Sequence, residues 1–187
     1  MVVIGIIGLL AALLLPQVLK SAAGAKQAPC INNLQQIYLA LQQYAGDNRG
    51  NLPWAGKGKA PWDHLQILVD KGYIKEPEVF VCPASQTEKP AVKDSKKMFK
   101  LSSSTCSYTT YDKPFNFNSP ETDTILLADR DLEHYHQEFY CYIRADHKGA
   151  KEKATTLPKG LIDCSKFTSS EEGEEGATKD KTGEEEE

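Results

Sequence analysis

Val2-Val3-Ile4-Gly5-Ile6-Ile7-Gly8-Leu9-Leu10-Ala11-Ala12-Leu13-Leu14-Leu15-Pro16 is an apolar run without one polar side chain, closed by a proline. A helix that crosses a bilayer needs about 20 apolar residues, and this run is shorter. A core helix at the start of a chain keeps a polar face, and this run has none. The small residues Ser21-Ala22-Ala23-Gly24-Ala25 fit a secretory signal cleaved after Ala25, although no positive residues precede the apolar part. Three readings therefore stand: a core helix, a cleaved export signal, and a membrane helix whose first part lies upstream of Met1. On the third, Pro16 removes a backbone donor and bends the helix. Neighbouring helices can cover such a defect in lipid.

Outward from this run the pattern changes. Gly24 and Pro29 weaken the link, and a bend or break is expected near Ala28 because the residue before a proline resists the helical region. From Cys30 the apolar residues Ile31, Leu34, Tyr38, Leu41 and Ala45 recur at helical spacing, with Ile37 and Tyr44 widening the stripe. Asn32, Gln35, Gln36, Gln42 and Gln43 form the wet side. Asp47-Asn48-Arg49-Gly50 ends the helix, the glycine suiting its C-terminal cap.

These two segments carry a resemblance. Val2 to Pro16 resembles the N-terminal helix of type IV pilins and type II secretion pseudopilins, with Pro16 at the family's proline. The resemblance implies a processing glycine and an assembly glutamate just upstream of Met1. Cys30-Ile31-Asn32-Asn33-Leu34-Gln35-Gln36-Ile37, then Tyr44, Asp47, Gly50 and Pro53, is similar to a pseudopilin branch common in planctomycetes and verrucomicrobia. That branch also has an Ile-Lys stretch and a Val-Phe-x-Cys-Pro motif, matched by Ile74-Lys75 and by Val79 to Pro83. Its closing signature of a His, nine residues and Asp-Gly is met at His136 and Asp146, but His147 stands where the glycine belongs. The resemblance implies an inner-membrane subunit with its head in the periplasm or outside the cell. It would associate with copies of itself or other pilin-like subunits through Val2, Val3, Ile4, Ile6, Ile7, Leu9, Leu10, Leu13, Leu14 and Pro16.

The remaining sequence reads as an α+β head. Trp62 to Asp70 forms a short helix with Trp62, Leu65, Leu68 and Val69 on one side, ended by Lys71-Gly72. Val79-Phe80-Val81 reads as a strand. Pro83 to Lys100 is a polar loop. Ser107–Tyr111, Thr124–Ala128 and Glu138–Arg144 read as further strands, the last alternating cleanly. Helices first and hairpin-spaced strands later give an antiparallel sheet packed on the long helix. The organisation is an apolar membrane and assembly helix over 1–28, an amphipathic helix over 29–50, the head over 51–168 and an acidic tail over 169–187. The last seventeen residues hold nine acids and two lysines, a net −7, so the rest of a chain at −4 carries +3. A tail of Glu, Gly, Lys and Thr cannot bury apolar area and is expected to be disordered.

Candidate chemistry is sparse. No stripe of Lys and Arg with interleaved aromatics marks a nucleic-acid partner. No Gly-x-Ser-x-Gly, His-Glu-x-x-His or phosphate-cradling loop occurs, so a non-enzymatic role is expected. None of the five cysteines forms a Cys-x-x-Cys. Behind an export-type segment they suggest disulfides. Cys82 with Cys106, closing the polar loop, would contribute about 3 kcal/mol; Cys141 with Cys164 comes next, leaving Cys30 unpaired. Among His134, His136 and His147, the first two would share a face in a strand and, with Asp129, Asp131 or Asp146, could hold zinc or copper, against the plainer reading of a solvated strand end or turn. Asp123, Asp129, Asp131 and Glu133 offer the hard oxygens of a calcium site, as in the heads of major pseudopilins, against the plainer reading of a solvated acidic loop. The functional expectation is a structural subunit of a membrane-anchored filament or pseudopilus. The alternative is an exported binding module, metal-binding through these residues.

Overall fold

The computed structural model describes residues 3, 27–92, 98–119, 121, 123–130, 140–152 and 157–167. The apolar segment other than Val3, and the tail, lie outside the described residues. Within them the fold is α+β, with two helices and one antiparallel sheet. No helix among the described residues is long and apolar enough to cross a membrane.

Helix α1 spans Gln27–Asp47. It buries Cys30, Leu34, Ile37, Tyr38, Leu41 and Ala45, the stripe that the 3.6-residue period marks. The expected break at Ala28 is absent, since Ala28 and Pro29 are both helical. Proline is tolerated in a first turn because the N–H it lacks has no partner there. After Asp47 the chain enters the left-handed region at Arg49 (φ 57°) and Gly50 (φ 85°), and the Gly50 N–H closes on the Ala45 carbonyl at 2.7 Å. A Cβ on Gly50 would stand 2.4 Å from Asn118 Nδ2 and 2.7 Å from Asn116 Oδ1. Gly50→Ala is therefore expected to destabilise by about 1–2 kcal/mol from backbone strain, and further by displacing both asparagines. Gly46→Ala on the same helix meets nothing within 4 Å and is expected to gain about 1 kcal/mol. Urea midpoints of the two variants should move in opposite directions; a shared direction would contradict this assignment.

Helix α2, Pro61–Asp70, buries Trp62, Leu65, Leu68 and Val69 as expected, and also His64. Pro61 opens it, and the Asp63 carboxylate accepts the Ala60 N–H at 3.0 Å. Gln66 reaches out of α2 to the polar loop, accepting the Leu101 N–H at 2.7 Å and donating to the Phe99 carbonyl at 3.0 Å. Pro77–Phe80 is a 3-10 turn, not the strand that Val79-Phe80-Val81 suggested. Pro77 presets the turn's φ, and the Val81 N–H closes on the Glu78 carbonyl at 3.1 Å instead of reaching a neighbouring strand.

Strands β1 (Tyr108–Thr110), β2 (Ile125–Asp129), β3 (Tyr140–Arg144) and β4 (Gly149–Glu152) form an antiparallel meander in the order β1-β2-β3-β4. α1 packs chiefly on β3. The alternation of β3 divides two apolar clusters. Cys141 and Ile143 join the main core under α1, whereas Tyr140 and Tyr142 join Ala128 and Leu161 on the opposite face. The free edge of β1 is closed by the returning chain: the Ile162 N–H donates to the Thr110 carbonyl, the Asp112 N–H to the Gly160 carbonyl, and Thr109 Oγ1 to the Ile162 carbonyl. At the β3–β4 turn His147 takes the left-handed conformation (φ 68°) that glycine favours, with its ring stacked 4.7 Å from Tyr38. At this turn a histidine, braced against α1 by Tyr38, takes the place a glycine would suit.

Candidate metal centre

Four elements converge on one point in the core. Cys30 lies in the first turn of α1. Three residues on, Asn33 Nδ2 donates to the Val81 carbonyl at 2.9 Å and holds the segment after the 3-10 turn against the helix. That grip places Cys82 beside Cys30. Cys82 is fixed from the other side by Ser107, whose Oγ accepts the Cys82 N–H at 2.9 Å and whose own N–H donates to the Phe80 carbonyl at 2.9 Å. Asp129 closes β2, and Cys141 sits across from it on β3.

Asp129 is fully buried. Its Oδ2 accepts the Cys141 backbone N–H at 2.7 Å, and its Oδ1 accepts the Cys30 thiol at 3.0 Å. The Cys82 sulfur lies within 4.8 Å of the Cys30 thiol, and the Tyr108 hydroxyl stands 3.7 Å from it. The ligand atoms of Cys30, Cys82 and Asp129 all lie within 4.8 Å of one another. This is a group that could hold a metal ion. Burial holds the Asp129 carboxyl well above the usual carboxylate range, the neighbouring Cys141 and Cys82 adding to the rise. The hydrogen bonds to Cys141 and Cys82, and then burial, push the Cys30 thiol strongly upward.

The sequence-predicted sites are rearranged by the fold. All five cysteines are buried free thiols, so neither the Cys82–Cys106 nor the Cys141–Cys164 pairing is formed. Cys30, expected to stand alone, is the hub of the trio. Cys106 has Cys164 for its sulfur neighbour, and burial lifts these thiols to about 12 and about 11 respectively. Asp123 and Asp129 do not meet. Asp123 precedes β2, is exposed, and pairs with Arg144 at 3.6 Å, while Asp129 lies at the buried far end of the strand. Asp131, Glu133, His134 and His136 lie outside the described residues. The group around Asp129 brings sulfur donors, and calcium takes oxygen ligands, so nothing in it selects calcium.

His64 went unremarked in the sequence, although it stands four residues before Leu68 on the buried face of α2. Its Nδ1 accepts the Ala55 N–H at 2.9 Å, its ring stacks on Trp54 at 4.5 Å, and its Nε2 has no hydrogen-bond partner among the described residues. It lines a cavity of about 260 Å³ with Trp54, Asp112, Leu161 and Phe167. No protein family, no characterised protein and no solved structure matches the chain.

Proposed function

We propose that the chain is a pilin-like structural subunit, held in the inner membrane by its apolar segment and presenting the α+β head on the outer side. The observation that carries this reading is the position of α1. The helix that forms the spine of the head's core, Gln27–Asp47, follows the apolar stretch Val2–Leu19 in the sequence after the short segment Lys20 to Lys26. Its buried face grips β3, the turn before Cys82 and β4. A head built this way is mechanically joined to whatever holds the apolar segment. Side-by-side packing of such segments with those of identical or related subunits gives a non-closing, head-to-tail assembly.

The test is expression of the whole chain in a bacterial host, followed by inner-membrane flotation and crosslinking. The chain is expected to float with the membrane and to give a ladder of crosslinked copies. A variant lacking residues 2–19 is expected to lose both and remain in the soluble fraction. A mature protein that begins at Lys26 and sediments as a soluble monomer would overturn the reading in favour of an exported binding module.

A further inference from the structure

We propose that Cys30, Cys82, Cys141 and Asp129 form a four-donor site for a thiophilic divalent cation of the zinc class, which pins the first turn of the long helix to the sheet. The inference stands apart from the filament reading, because it depends only on the interior of the head.

Three of the four donors already lie near the spacing a small tetrahedral ion requires. Zinc binds thiolate sulfur at about 2.3 Å and carboxylate oxygen at about 2.0–2.2 Å. The edges of such a tetrahedron are then about 3.3–3.8 Å by simple trigonometry. Cys30 Sγ and Asp129 Oδ1 are already 3.0 Å apart, and the mutual spread of Cys30, Cys82 and Asp129 stays within 4.8 Å. Small side-chain rotations close that difference. Cys141 stands outside this close trio, next to the Cys30 thiol on which it acts, and supplies the fourth donor by turning its own side chain inward. Its backbone N–H also holds Oδ2 of Asp129, fixing the carboxylate in the plane that leaves Oδ1 turned toward the sulfurs. Ligand carboxylates in metal sites are fixed by hydrogen bonds of this kind.

The chemistry of the set selects the ion. Thiolates prefer zinc and other thiophilic metals, whereas calcium and magnesium require oxygen cages. The closed, buried surroundings suit a structural site with all four positions filled by protein. The competing use of these thiols is oxidation. A thiol oxidant would take two electrons from Cys30 and Cys82, two protons would leave, and one S–S bond would form. That product uses two donors and leaves a carboxyl and a third thiol enclosed beside it. A cation uses all four.

The experiment is cobalt titration of the purified, reduced full chain, with Co²⁺ as the probe and Zn²⁺ as competitor. The expected result is one ion per chain, with the intense visible bands of tetrahedral cobalt and a sulfur-to-cobalt charge-transfer band, both erased by one equivalent of zinc. Cys82→Ser is expected to abolish the bands and Asp129→Asn to weaken binding, while Cys164→Ser, at the separate cysteine pair, leaves them intact. Far-UV circular dichroism of each variant tests that the head still folds. Wild-type protein that gives no tetrahedral spectrum overturns the proposal whatever the variants do. So does a spectrum that survives Cys82→Ser or is lost equally in Cys164→Ser. A native Cys30–Cys82 disulfide with no cobalt uptake after reduction overturns it as well.

Discussion

Trp62→Ala is expected to destabilise the head by about 3–5 kcal/mol, the range for large aromatic truncations in a packed core. Trp62 is 1% exposed on α2 and meets Phe167 edge-on at 6.1 Å, so it joins the helix to the end of the described chain. α2 packs on β1, whose outer edge is closed by that same C-terminal segment. A cavity at Trp62 therefore loosens helix, sheet edge and C-terminal segment together. Against a total stability of about 5–15 kcal/mol for a domain, this loss leaves little margin. Urea denaturation followed by circular dichroism measures it. Leu39→Ala, on the exposed side of α1 at 47% exposure, serves as the comparator and should change stability little, as surface substitutions do. Equal shifts in the two variants would mean that Trp62 is not a core anchor.

Stability should also fall as the pH drops from about 6.5 to about 4, because of His64. Burial pushes this imidazole down to about 4, against the opposing pull of the Asp63 charge, from an unfolded value of about 6.5. Between these values the unfolded chain binds a proton that the folded chain refuses. Stability is thus fully present above pH 6.5, declines through the window and levels off below pH 4. The depression corresponds to about 3 kcal/mol when integrated. The lack of a hydrogen-bond partner for Nε2 among the described residues and the stacking on Trp54 supply the structural cause. Urea midpoints at a series of pH values give the slope. His64→Gln should lower stability at pH 7 yet remove the histidine's share of the acid slope. An unchanged slope in that variant would place the titrating group elsewhere.

Much of the fold was legible because apolar period is a local property. The stripe from Cys30 to Ala45, the face Trp62-Leu65-Leu68-Val69 and the alternation of Cys141 and Ile143 all reappear as buried surfaces. Strand β4 was not legible. Gly149-Ala150-Lys151-Glu152 has no β-branched or aromatic residue, and its extended form comes from pairing with β3, a tertiary effect. The turn at Pro77–Phe80 misled in the other direction, since its apolar residues pack in the core without forming a ladder. The cysteines show the limit most clearly. Cys82 and Cys106 flank one loop and invited pairing, but the sulfur centre draws on α1, the turn segment, β2 and β3, with Cys30 and Asp129 separated by |i−j| = 99. Asp129 was picked out, but together with Asp123, which lies at the other end of β2. The docking of Asn33 onto the Val81 carbonyl and of Ser107 onto Cys82, invisible to spacing rules, brings Cys30 and Cys82 together.

The closure of β1 by residues 160–162 bears on how copies of this protein meet. A bare strand edge invites lateral zippering into aggregates. Here one margin of the meander is already occupied by its own chain, and the other is β4, a strand of four residues that carries a lysine. Backbone-to-backbone adhesion between heads is thereby discouraged on both sides. In the filament proposed above, contact between neighbours would fall to side-chain surfaces and to the greasy N-terminal stretch, and the heads would crowd together in an ordered array without fusing into a continuous sheet.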